Sequence, residues 1–143
     1  MAAIDNAMIS KMLNQTTPTG TSGNPGSFGT ALTAAPMKVR LNSTLSTASA
    51  AGTEITGTGY TAGGTAVPAA STASSGGSAV TLPATSALSW TNGSGGAWSI
   101  ASMDLTDSTG VRAWFGPFTG QPISVANGNI FQIAVAAVSI SLS

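Results

Sequence analysis

The chain is 143 residues long, with four Lys+Arg, four Asp+Glu, no histidine and no cysteine. Charged residues make up 6% of it, against about 25% in a typical soluble domain. These counts exclude a Ser-His-Asp triad, a disulfide framework and Cys/His metal ligation, and the zero net charge offers no electrostatic attraction to nucleic acid or to an anionic membrane surface.

The length suits one domain with an extended arm, divided as residues 1–34 (helix and arm) and 35–143 (β domain). The mean hydropathy of +0.29 comes mainly from Ala. No stretch approaches the roughly 20 apolar residues of a spanning helix; the longest apolar run, near Ile130 to Ile140, is interrupted by Gln132 and Ser139. The first residues have neither the basic region nor the continuous apolar region of a secretory signal. Few charges favour precipitation of a free monomer, so the chain reads as a member of an assembly, a dimer or trimer being expected.

Asn6 to Asn14 is the one predicted helix. Ile4, Met8, Ile9, Met12 and Leu13 follow the i, i+4 rhythm and Asp5 caps the start. Such a short helix is marginal alone, so it is expected to dock on the body or on a neighbour. Residues 16–30 carry Pro18, Gly20, Gly23, Pro25, Gly26 and Gly29 and read as an extended linker. Met37 to Leu41 alternates polar and apolar as a half-buried strand does. Residues 42–60 read as loop, with a short strand around Glu54 to Thr56, and residues 62–77 as low-complexity sequence, partly extended.

Ser78 to Leu82 and Ala87 to Trp90 are short predicted strands, and Asn92 to Gly96 is a turn. Trp98 to Leu105 alternates as one strand. The turn Asp107 to Gly110 makes it a hairpin with Val111 to Phe115, closed by Gly116-Pro117. Ile123 to Val125 leads to the turn Asn127-Gly128, and Ile130 to Leu142 forms a last strand or strand pair. Short strands with turn signals every 8–12 residues predict an all-β domain of β-sandwich or jelly-roll-like type with a short N-terminal helix.

Few residues invite chemistry. Asp104 and Asp107 are the one close carboxylate pair; they flank a predicted turn, where Asp side chains cap backbone N–H groups. A glycosidase reading would need Glu54 to face an Asp across a cleft. Gly57-Thr58-Gly59-Tyr60-Thr61-Ala62 fits G-x-G-x-x-A, yet no helix follows it and no acidic residue lies about 20 positions on. Asn14, Asn42 and Asn92 begin glycosylation sequons, read as accidental. No catalytic residue, cofactor site or metal site is expected. The candidate partner interface comprises Ile4, Met8, Ile9, Met12, Leu13, Lys38, Arg40, Trp114 and Phe115. Lys38 and Arg40 share one strand face, as a touch-point for an acidic partner, a solvated face or an edge guard. Trp114 and Phe115 are neighbours on a strand and point to opposite faces, one to the core and one to a partner.

Several segments, in order and spacing, resemble a family of small virion proteins of tailed phages of actinobacteria, described as tail-fibre, minor capsid or decoration proteins. They are Ile4 to Leu13, Ala35 to Leu41, Ala51 to Tyr60, Leu105 to Phe118 and Val125 to Ile133. The resemblance implies a non-enzymatic β-sandwich bound to the virion. The expected role is a minor capsid or decoration protein on the capsid exterior, made in the host bacterial cytoplasm. Its partner would be the major capsid protein, whose lattice it stabilises, with no nucleic acid and no membrane involved. The alternative is a tail-fibre or baseplate-associated module that binds host-surface carbohydrate, with Trp90 and Trp98 around the Asn92 turn as the place to look.

Overall fold

The computed structural model describes residues 3–4, 37–68, 79–83 and 85–141. Among them there is no helix, and all paired strands are antiparallel. The predicted helix at residues 6–14 lies outside the described residues. The strands are β1 (Ala3–Ile4), β2 (Lys38–Asn42), β3 (Thr65–Ala66), β4 (Ala79–Leu82), β5 (Leu88–Thr91) and β6 (Trp98–Ile100). They continue with β7 (Ser102–Thr106), β8 (Arg112–Pro117), β9 (Ile123–Val125), β10 (Ile130–Ile133) and β11 (Val138–Ser141). One sheet has the order β1-β8-β7-β2-β3, and three two-stranded ladders pair β10 with β5, β11 with β4 and β6 with β9.

Alternation explains which strands form. In β5 and β10, Leu88, Trp90, Phe131 and Ile133 are buried, whereas Ser89, Thr91, Ile130 and Gln132 face outward, as the two-residue period of a pleat requires. On the outer side Gln132 Nε2 donates to Ser89 Oγ across the ladder at 3.0 Å. Between β7 and β8 the tight turn expected at residues 107–110 is present, and the register shifts between Leu105 and Thr106.

The predicted strand Trp98 to Leu105 is two strands. Trp98 and Ile100 are buried in the core, and so are Met103 and Leu105, which a continuous two-residue period cannot arrange. The phase slips by one at Ala101. Its N–H donates to Asn42 O at 2.8 Å and its carbonyl accepts from Phe118 N at 3.1 Å, so β6 pairs with β9 while β7 pairs with β2 and β8. The slip carries Asp104 away from the core onto the opposite face of the large sheet.

One hydrophobic cluster joins Val39, Leu41, Met103 and Leu105 of the large sheet to Leu88, Trp90, Trp98, Ile100, Val125, Phe131 and Ile133 of the ladders, with Ile55, Val67 and Leu82 from their margins. Phe131 packs against Trp90 at 5.9 Å and edge-on against Phe118 at 5.4 Å. Burying each of these large side chains contributes about 1.5–3 kcal/mol. Glycine is required at one crossing in particular. Gly59 has φ +94°, and a Cβ there would stand 1.7 Å from the Thr91 carbonyl oxygen. The apparent G-x-G-x-x-A motif is therefore a loop pressed against β5, with Gly93 N donating to Thr58 O at 2.8 Å.

Candidate functional site

Both faces of β7 are buried, although only one faces the core. The other face carries Ser102, Asp104 and Thr106, opposite Asn42, Arg40 and Lys38 of β2 and Pro117, Phe115 and Arg112 of β8. The loop 43–53 covers it. Asp104 is fully buried, and Arg40 Nη2 donates to its Oδ2 at 2.5 Å. Ser46 Oγ donates to Oδ1 at 2.6 Å, and Arg112 Nη1 stands 3.9 Å from the same oxygen. Arg112 also donates to Ala50 O at 2.8 Å and Thr47 O at 2.7 Å, and its guanidinium lies 4.9 Å over the Phe115 ring. Ser102 Oγ donates to Thr44 O at 2.8 Å and accepts from Ser46 N at 3.3 Å. A buried carboxylate needs both charge compensation and hydrogen bonds; here strand residues supply the charge and the loop supplies the hydroxyl.

This arrangement corrects two expectations. Arg40 is not a solvated guard or a free contact for an acidic partner, because it is consumed by Asp104 within the chain. Asp104 does not cap a turn; Asp107 does, accepting from Thr109 N, Thr109 Oγ1 and Val111 N at 2.7–2.9 Å. Lys38 is half-buried at the end of β2, paired in register with Thr106 and Ala66.

The other interface residues are placed as follows. Ile4 lies in β1, paired with Trp114, so it is part of a sheet edge and not of a helical stripe. Ladder hydrogen bonds to the outer edge of β8 outweigh a single residue's share in a short helix. Met8, Ile9, Met12 and Leu13 lie outside the described residues. Trp114 and Phe115 do occupy opposite faces: Trp114 is half-buried against the core, and Phe115 shares the face of Asp104. Phe115 is 9% exposed beneath Arg112, so it is not the exposed aromatic expected to meet a partner.

Trp90 and Trp98 offer no sugar platform. They are 3% and 4% exposed, and their indole N–H groups donate to Thr65 Oγ1 at 2.8 Å and Thr56 O at 3.1 Å. Glu54 does not face an Asp. Its Oε1 accepts from Tyr60 Oη and from Gly63 N, both at 2.7 Å, while Tyr60 Oη accepts from Leu41 N at 3.1 Å. Burial, and then the bond to Glu54, push the Tyr60 phenol well above its ordinary range. Asn42 and Asn92 are fully buried, so these sequons are inaccessible in the folded chain. No group of three acidic residues placed to hold a metal occurs among the described residues. No described helix is long and apolar enough to cross a membrane.

Sequence reasoning missed the loop that closes over β7, and with it the ion pair. The one available signal was an Asp between Met103 and Leu105, in a stretch otherwise alternating toward the core. It also missed an apolar groove of about 460 Å³ at the end of β7 and β8, floored by Met103, Phe131 and Ile133 and walled by Phe118, Ile123 and Val138. These residues come from four separate strands and a loop, so no local pattern announces it. Compared with known proteins, the chain matches no family model, no curated protein and no solved structure.

Proposed function

We propose that the protein is a non-enzymatic structural component of a phage virion, a minor capsid or decoration protein on the capsid exterior that binds and stabilises the major capsid protein lattice. The observation that carries the non-enzymatic part is the fate of the acidic side chains. All three carboxylates among the described residues hold the fold together: Asp104 in a buried ion pair, Asp107 in a turn, Glu54 between Tyr60 and Gly63. A general acid and base need carboxyl groups that face a cleft with room for substrate. The virion part rests on the resemblance, in sequence order and spacing, of the segments between Ile4 and Ile133 and on the sparse charge, which suits close contact between copies.

In this reading the sheets stack as a β-sandwich of jelly-roll-like type; the single cluster shared by the large sheet and the ladders supports that arrangement. Many weak sites on a regular lattice give firm attachment through multivalency, and binding to the assembled shell alone stabilises it by mass action. The tail-fibre alternative draws no support from Trp90 and Trp98, which are buried.

Reconstruction of the intact virion by cryo-electron microscopy tests this. Density for the chain repeating over the capsid lattice is the expected result, with a stained-gel copy number on the scale of the major capsid protein. Density confined to the tail tip, at a small copy number, would overturn the capsid assignment.

A further inference from the structure

Strand β1 is two residues long, and only Ala3 and Ile4 pair with β8, opposite Phe115 and Trp114. The acceptor is longer, running from Arg112 to Pro117. From β1 the chain next reappears at Met37, at the start of β2. In the order β1-β8-β7-β2 these strands are three inter-strand spacings apart, about 14 Å. The registers Ile4–Trp114, Trp114–Leu105 and Leu105–Val39 put all four strands at one level. Because β1 runs antiparallel to β2, the chain leaves Ile4 and re-enters at Met37 at the same end of the sheet.

A handful of residues would close that gap. The sequence supplies residues 5–36, with two prolines and four glycines among positions 18–29. The number of residues sets the greatest reach of such a tether at roughly 100 Å, several times the gap to be bridged. It therefore does not restrict β1 to its own sheet.

From this we propose that the outer edge of β8 is a docking site for β1 of a second copy of this chain, so that neighbouring copies exchange their first strands. The donor makes the same ladder to a neighbour's Trp114 and Phe115 as to its own, and exchange of an identical element is a low-cost route to association. Two ladder positions hold the strand weakly enough to be released, and strand addition to an open edge is an established mode of recognition. The choice between self and neighbour is then set by concentration: a tether of this length corresponds to an effective concentration in the millimolar range, which free protein reaches only when concentrated and which packed copies in any regular array match. The inference concerns copies of the chain in solution and does not depend on where in a virion they sit.

The chain has no cysteine, so engineered thiols report the pairing cleanly. Protein carrying Ala3→Cys and protein of different mass carrying Phe115→Cys are mixed and oxidised at about 10 µM and about 1 mM, then separated without reductant. The expected result is a mixed covalent dimer well above twice either like-with-like dimer. Its yield should rise roughly a hundredfold between the two concentrations. A mixed dimer at or below that statistical ratio overturns the proposal. Because Phe115 is buried, a second acceptor, Pro117→Cys, is used in parallel. It is exposed and sits two residues along the same face, within reach of a bis-maleimide spanning about 8 Å; the same excess is expected, and its absence overturns the proposal independently.

Discussion

Replacing Arg40 by Met should cost far more than a surface charge change. Asp104 has 0% side-chain exposure and Arg40 has 20%, so the two partners differ in what water can rescue. Without Arg40 the carboxylate keeps Ser46 Oγ at 2.6 Å, but its nearest cation is Arg112 at 3.9 Å, already engaged with Ala50 and Thr47. Removing one partner of a buried pair typically costs 3–5 kcal/mol; the residual attraction of Arg112 places Arg40→Met at the low end, about 3 kcal/mol. The reverse change, Asp104→Leu, leaves a guanidinium that reaches solvent, and should cost about 2 kcal/mol. The double variant removes both charges and should lie within about 1 kcal/mol of the parent. The cycle then yields a coupling of at least about 4 kcal/mol. Urea unfolding followed by tryptophan fluorescence measures all four corners, and a thermal scan should show Arg40→Met melting about 12 °C lower, at about 4 °C per kcal/mol. Single variants that each cost under about 1 kcal/mol, as exposed pairs do, with no recovery in the double variant, would refute the account of a sealed ion pair.

Other substitutions probe the remaining contacts. Gly59→Ala places a Cβ against the Thr91 carbonyl at a left-handed φ; a loss of at least about 3 kcal/mol in urea unfolding is expected, since both the clash and the backbone conformation oppose it. Ala136 has φ +58° in the turn before β11, so Ala136→Gly should stabilise the protein by up to about 1 kcal/mol, read as a rise in Tm. Tyr60 is the chain's only tyrosine, and its phenol is held protonated in the folded state above its ordinary value of 10.0. The unfolded chain releases that proton first, so the contribution is intact below about pH 10 and is lost as pH rises above it. Tm measured from pH 8 to 12 should fall on the alkaline side, and Tyr60→Phe should start lower, with Leu41 N–H left unpaired, and fall less steeply over the same interval.

The local strand pattern was legible where one face meets the core and the other meets water. Leu88 to Thr91, Ile130 to Ile133 and the 107–110 turn are readable because pleat period and turn chemistry act over a few residues. The slip at Ala101 was not legible, since a long-range hydrogen bond from Ala101 to Asn42 O decides it. β3 was hidden in low-complexity sequence, because its two residues pair only through the presence of Lys38 and Val39.

The sequence by itself determined the all-β character of the described chain, the positions of most turns and the absence of histidine and cysteine chemistry, all of which follow from composition and short-range periodicity. Only the tertiary structure decided what the charges do. Arg40 and Asp104 are 64 positions apart, and whether each meets water, a partner or the other depends on the strand order β2-β7-β8 and on the loop 43–53 that seals them. Coulomb attraction acts through space and grows as water is excluded, so its outcome is written in the topology and not in the local order of residues.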